Sequence, residues 1–390
     1  MTKRRAVVLG AGVAGLSAAW WLTRIGWAVT VLESASQFRD GGHMLGLSGP
    51  GLESCRQMGI VPALEAGACD INENVYRDRR GRELMRLRYR DVMEGLPFVV
   101  LQRGHLVRTL YNAVVDDVDI QFDAQVDRIE TNDDLATAGL SDGQSFEADL
   151  LIGADGFRSF TRQQVFGADD QFLAPLGYRF AAYELDEDLG LGSDFLSFSE
   201  PGLMSEYYAL PESGLAALHI WRSSETGSIP ADERWPLVEQ VTSATHEMVQ
   251  SMVARAKHLT VPLIDDMTLV DMPRWSRGRT LLIGDAAHCL TLVSGQGAGI
   301  SIASAAILAK ELKHSELSRA MECHAKRLRP AIERLQRRSR NMAKMFIPST
   351  SFGFHVRNTV LRNMPRRWLG RYFMNAVKSE ILAISDFAQQ

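Results

Sequence analysis

Three short, largely apolar runs, each closed by glycine, punctuate the chain: residues 6–10 (AVVLG), 148–153 (ADLLIG) and 279–284 (RTLLIG). Each is too short for a helix and reads as a buried strand. Residues 16–25 read as a helix that Gly26 ends, and residues 28–32 as the strand after it. A longer helical pattern occupies residues 300–312. The stretch 172–270 breaks this α/β rhythm. Residues 178–183 and 203–210 read as strands, 211–214 as a turn, 215–222 as the returning strand and 231–258 as helical. That is the pattern of an antiparallel sheet set into an α/β frame. No internal repeat or low-complexity linker separates the parts, so the two are expected to be interwoven rather than tandem.

The first strand runs into Gly10, Gly12 and Gly15, spaced as G-x-G-x-x-G, and the second ends on Glu33. This is the β-α-β dinucleotide fingerprint in its required context. Gly10 permits the tight turn, Gly12 lets backbone approach a pyrophosphate, and Gly15 lets helix pack close to strand. Ala14 belongs to the same loop. The helix N-terminus offers N–H groups and partial positive charge to phosphates. Glu33 can accept both ribose hydroxyls of an adenosine. The fingerprint alone leaves NAD and FAD both open.

Two later motifs favour FAD. The second apolar run opens G-A-D-G-x-x-S-x-x-R, which carries Asp155, Ser159 and Arg162. The third leads into Gly284-Asp285-Ala286-Ala287-His288 and then Gly295-Gln296-Gly297-Ala298-Gly299. Asp285 at a strand end can hydrogen-bond a ribityl hydroxyl. Gly295, Gly297 and Ala298 put bare N–H groups at a helix N-terminus, which suits the N1/O2 edge of an isoalloxazine that becomes anionic on reduction.

With these motifs in this order the sequence resembles the group A FAD-dependent monooxygenases, the p-hydroxybenzoate hydroxylase-like family, over residues 5–343. Arg103-Gly-His-Leu106-x-x-x-Leu110 fits a further family signature, and residues 42–51 look like the family segment beside the flavin ring. Two positions depart from the family. Residues 289–294 hold no proline, and Gly299 stands where Asn is frequent. Variants of this kind occur in branches that resemble the tetracycline-inactivating and natural-product monooxygenases.

The resemblance implies an α/β fold, a Rossmann-type FAD-binding domain interwoven with an antiparallel-sheet substrate domain and followed by a C-terminal helical segment. It places residues 1–75, 98–171 and 272–312 in the FAD-binding domain, 76–97 and 172–271 in the substrate domain, and 313–390 in a basic helical cap. It implies non-covalent FAD, with NADPH or NADH as transient co-substrate and O2 activated as a C4a-hydroperoxyflavin. Gly10, Gly12, Ala14, Gly15, Glu33, Arg103, Asp155, Asp285, Gly295, Gly297 and Ala298 would hold the cofactor. Arg103 inherits a flavin or diphosphate contact. The substrate would be an aromatic or polycyclic small molecule that is hydroxylated or epoxidised. A geranylgeranyl-reductase-like flavin reductase shares the glycine motifs and is the rival reading. A flavin halogenase lacks its W-x-W-x-I-P stretch here, and an FAD-binding protein without turnover has no sequence feature in its favour.

Composition sets the surroundings. The 390 residues carry a net charge of −4 and 46% hydrophobic residues, which is globular usage and gives no sign of a nucleic-acid partner. Four scattered cysteines propose neither a disulfide framework nor zinc. No apolar run nears the ~18–20 residues of a membrane span, and the glycine-filled N-terminus does not read as a signal peptide. The expectation is a soluble cytoplasmic protein.

Other features divide between chemistry and plain structure. Tyr207, Tyr208, His219 and Arg222 could line the substrate pocket, but each reads by preference as an ordinary strand residue, and His288 as structural; no catalytic base is assigned. Seven arginines between Arg77 and Arg90 read as a solvated sheet edge rather than a steering patch. Residues 315–378 carry 15 Lys and Arg against Glu316, Glu322 and Glu333. A cap paired with an acidic domain surface is preferred there over peripheral contact with anionic lipid.

Overall fold

The computed structural model describes residues 3–38, 43–89, 97–210 and 214–363. Its frame is a six-stranded sheet in the order Ser276–Arg277, Thr280–Leu282, Leu150–Gly153, Arg5–Leu9, Ala28–Leu32, Asp119–Gln121. Every pairing is parallel except the outermost, Ser276–Arg277 with Thr280–Leu282. The three glycine-closed runs therefore lie side by side. Parallel strands covered on both faces read as unbroken apolar runs, and Val8, Leu150, Leu151, Ile152, Leu281 and Leu282 are wholly buried. The helices Val13–Arg24 and Gly297–His314 cover one face. A three-stranded sheet (Ser145–Ala148, Ala136–Leu140, Val126–Thr131) packs on Val7, Leu9, Leu32 and Leu151 of the other.

The second sheet has seven strands, ordered Leu263–Val270, Leu173–Leu185, Leu215–Arg222, Leu203–Ala209, Phe195–Glu200, Glu73–Arg77, Glu83–Arg88. It is antiparallel except where Phe195–Glu200 meets Glu73–Arg77 in parallel. Glu73–Arg77 is not joined to Phe195–Glu200 by a hairpin, which frees its direction. Helices Ala231–Thr242 and Glu247–Ala256 cover one face. The single helical stretch expected over 231–258 is broken at 243–246, where the His246 ring accepts the Met248 N–H at 3.1 Å and starts a new helix. In Glu83–Arg88, Arg86 pairs with Glu73 and Glu83, and Arg88 with Glu73, so these charges neutralise one another along the edge. Arg90 lies outside the described residues.

The 30-residue helix Leu317–Phe346 buries Leu317, Ala320, Met321, Leu328, Ala331, Ile332 and Leu335 in the core that surrounds the parallel sheet. Its basic face turns inward in places. Arg327 pairs with Glu311, Arg340 with Asp271, and Arg329 donates to the Met272 and Pro273 carbonyls. The helix Ser351–Asn363 follows, and Arg357 on it donates to Ser199 Oγ at 3.1 Å. The basic, aromatic stretch 365–374 lies outside the described residues. No helix among the described residues is long and apolar enough to cross a membrane.

Candidate functional site

Along the C-terminal ends of the parallel strands run two confluent cavities of about 380 and about 600 Å³. Gly12, Arg103, Ala154 and Gly156 line both. This is where open α/β sheets place ligands.

The larger cavity lies over the glycine loop. Gly10 has φ +103°, and a Cβ there would stand 2.6 Å from the Ala154 carbonyl oxygen. A Cβ on Gly15 would stand 1.9 Å from the Gly10 carbonyl oxygen. At Gly12 it would meet no protein atom within 4 Å, so the open side of that residue faces the cavity. Helix Val13–Arg24 starts there with no side-chain cap, which leaves its first N–H groups for an anion. Glu33 accepts the Ala11 N–H at 2.7 Å and the Ala35 N–H at 2.9 Å. A carboxylate has about four acceptor sites, which leaves capacity for ribose hydroxyls at this end of the cavity.

The smaller cavity is framed by the other motifs. Gly284 has φ +61°, and a Cβ on it would come within 2.7 Å of the Ala14 Cβ, so the glycine lets strand and first helix meet. Asp285 follows, deep in the molecule with its carboxylate open to the cavity. Burial raises its pKa above the ordinary value, while the Arg103 charge and a Cys289 hydrogen bond pull the other way. Arg103 begins helix Arg103–Asn112. A cation at a helix N-terminus opposes the macrodipole, so helix stability does not account for it, whereas its place between the two cavities does. Gly295, left-handed at φ +63°, ends the turn Thr291–Ser294. Gly297 and Ala298 then open the 18-residue helix Gly297–His314 with its positive end at the cavity. That helix starts three residues earlier than the expected 300.

Of the eleven candidate residues, ten line the two cavities and Gly15 supports them from behind. Asp155 lines the larger cavity, but its carboxylate is engaged elsewhere. It accepts Ser159 Oγ at 2.6 Å and the Thr161 N–H and Oγ1 at 2.8 and 2.9 Å. What it can offer a cofactor is backbone. Arg162 is wholly buried and ties the two motif loops together through Asp169 (2.7 Å), the Ala286 carbonyl (3.0 Å) and the Phe157 carbonyl (2.7 Å).

His43, from the segment 42–51, and Cys289 and Thr291, from 289–294, also line the smaller cavity, though none was singled out as a site residue. Burial and the nearby Arg103 lower the His43 pKa to about 4, so the ring is neutral. Thr291 takes φ +63°, rare for a β-branched residue, and no sequence cue announces that strain. None of the four candidate pocket residues lines either cavity. Tyr207 and His219 are wholly buried on the helix-covered face of the second sheet, where His219 bonds Tyr183 and Ser205 at 2.8 Å each. Tyr208, on the opposite face, accepts the Met44 N–H at 3.0 Å. Arg222 stacks on Tyr178 and donates to the Ile347 carbonyl at 2.6 Å, which anchors the C-terminal region. His288 is buried and neutral, its pKa lowered to about 4 chiefly by burial.

A family model described as FAD binding domain matches residues 3–324. The chain is 32% identical over 319 residues to an uncharacterized protein of Mycobacterium tuberculosis, covering 79% of this chain and 84% of the other. It is 31% identical over 333 residues to a flavin-dependent monooxygenase of an unknown prokaryotic organism, covering 81% and 82%. Among solved structures, tetracycline destructase Tet(55) has a similar fold, with a TM-score of 0.82 at 23% identity over 96% of this chain and 97% of that one.

Proposed function

From the premise that the chain belongs to the FAD binding domain family and is an FAD-dependent monooxygenase of group A, we propose that it uses NADH or NADPH and O2 to hydroxylate or epoxidise an aromatic or polycyclic small molecule. When bound, FAD would supply the redox chemistry by which one atom of O2 reaches the substrate.

One observation carries the reading. The cavity that begins at Glu33 and the Gly12 loop ends under the second sheet, against Phe180, Met267, Thr268 and Leu292. In this reading the glycine loop, Glu33 and Arg103 hold the adenosine and phosphates. Asp285 takes a ribityl hydroxyl, and the Gly297–Ala298 end of the long helix stabilises negative charge on the reduced ring. The side chains of the second sheet exclude water and seat an apolar ring system next to the flavin. A fold shared with a tetracycline destructase supports a polycyclic substrate.

The test supplies NADH or NADPH and isotopically heavy O2 with a library of phenols and polycyclic enols. The expected result is substrate-stimulated nicotinamide oxidation and a product carrying one heavy oxygen atom. Reduction of a carbon–carbon double bond without oxygen incorporation would instead establish the flavin-reductase chemistry.

A further inference from the structure

The cofactor site leaves the basic C-terminal stretch without a role, and the structure divides that stretch in two. The first half is a cap. Arginines of Leu317–Phe346 meet Glu311, Asp271 and the Met272 and Pro273 carbonyls. The second half differs in composition. Residues 347–378 hold Arg357, Arg362, Arg366, Arg367, Arg371 and Lys378 and no acidic residue, in a chain of net charge −4. Phe352, Phe354, Trp368, Tyr372 and Phe373 are interspersed among them.

Helix Ser351–Asn363 opens that second half. Its inner face is anchored: Phe354 is buried, and Arg357 stacks on it and donates to Ser199 Oγ at 3.1 Å. Its outer face is apolar. Phe352 is 80% exposed, Val356 47% and Val360 52%. Spaced i, i+4, i+8, the three lie on one side of the helix. Single exposed apolar residues are ordinary. Here three of the seven large ones exposed among the described residues stand on one 13-residue helix. The helix packs along strand Glu83–Arg88 at the edge of the second sheet. Just ahead of it the Pro348 carbonyl accepts the Gly202 N–H at 2.9 Å, and the nearby Glu200 lies in the field of Arg79. Arg79 and Arg80 are exposed on the turn between Glu73–Arg77 and Glu83–Arg88, whose one acidic residue, Asp78, pairs with Arg82.

We propose that this end of the molecule docks on an anionic lipid surface. Phe352, Val356 and Val360 enter the boundary between headgroups and acyl chains. Arg79, Arg80 and the basic residues beyond Val360 meet lipid phosphates. These are the two parts that a surface-lying helix needs, an apolar face to bury in lipid and cations close by for the headgroups. A second copy of this chain fits the face less well, since two-fold pairing would bring the same cations together. Ile347, just ahead of the helix, clusters with Phe180, Met267 and Leu292 of the smaller cavity, so a docked molecule holds that cavity close to the lipid. The docking does not depend on the oxygen chemistry proposed above.

The test sediments the full-length, FAD-loaded protein with vesicles of phosphatidylcholine alone or with about one-third phosphatidylglycerol. The wild type is expected to bind the anionic vesicles at least ~10-fold more tightly and to lose that preference as salt is raised. Phe352→Ser, Val356→Ser and Val360→Ser together remove only exposed groups. They should weaken binding at least ~10-fold at unchanged melting temperature and FAD content. Leu259→Ser with Val261→Ser removes exposed apolar groups elsewhere and should leave binding at the wild-type level. Absence of binding to anionic vesicles, equal binding to both kinds, binding that the triple variant retains, or an equal loss in the Leu259 and Val261 variant overturns the inference. So does a concentration-dependent dimer that the triple variant abolishes, read by light scattering in place of vesicle binding, because the face would then belong to a second copy.

Discussion

A methyl group added at Gly15 would sit 1.9 Å from the Gly10 carbonyl oxygen, whereas one added at Gly12 would meet no protein atom within 4 Å. The two substitutions should therefore separate folding from cofactor binding. Gly15→Ala forces helix and strand apart and should cost the FAD-free fold ~3 kcal/mol, at the upper end for overpacking. Gly12→Ala should leave the urea midpoint of FAD-free protein nearly unchanged and weaken FAD binding at least ~10-fold, a loss of ~1.4 kcal/mol. Urea melts and flavin titration of both variants check this. Arg162 is a different case, because its guanidinium spans three acceptors on separate loops. Arg162→Lys should fail to rescue what Arg162→Met loses, ~3–5 kcal/mol of stability, since one ammonium cannot reproduce that planar fork. Thermal melts of the pair decide it. The residues with turn or phosphate geometry were readable in the sequence because their chemistry is local. The commitment of the Asp155 carboxylate to Ser159 and Thr161 was not, because a motif names a residue and not where its side chain turns.

At the scale of elements, the long helix Gly297–His314 depends on a contact that no motif displays. A Cβ on Gly51 would lie 2.4 Å from the Gly299 Cα, so helix Gly49–Gln57 and the long helix touch backbone to backbone. Gly51→Ala should displace the Gly297–Ala298 end and lower flavin affinity while circular dichroism stays native. An unchanged dissociation constant for FAD would count against that coupling. The contact also places Gly299 at a helix crossing. Strands of the parallel sheet were legible because burial on both faces makes their apolar runs continuous. The start of the long helix was not, since Gly297, Ala298 and Gly299 carry too little side chain to show a period. In the second sheet the alternation was visible, but its sign was not. A pattern of period two marks two faces without saying which looks at the cavity, and so the facing of Tyr207 and His219 was not legible.

For the molecule as a whole, four histidines held neutral by burial, His43 of the cavity among them, lower stability in acid. Burial lowers the pKa of His219 and His324 to about 3 and of His288 to about 4. In the unfolded chain they titrate near ~6.5. Below that value the unfolded state takes up protons that the folded state refuses, so stability is full above ~6.5 and falls as pH drops toward 4. Melting temperatures taken from about pH 7.5 down to 5 should decline. His324→Gln, which can keep a bond to Ser304, should flatten that decline; an unaltered slope would contradict it. The union of a nucleotide-binding frame with a second sheet was legible from the break in the α/β rhythm. The shape of the chamber between them was not, since it depends on which faces meet and on how the C-terminal helices close over them.

The central claim, oxygen transfer by bound FAD, is tested most directly by rapid mixing of the chemically reduced protein with oxygenated buffer while the flavin spectrum is followed. The account predicts a transient absorbance band of the oxygen adduct before the oxidised spectrum returns, with polycyclic phenols present if not without them. Single-phase reoxidation with no such band under either condition would contradict it.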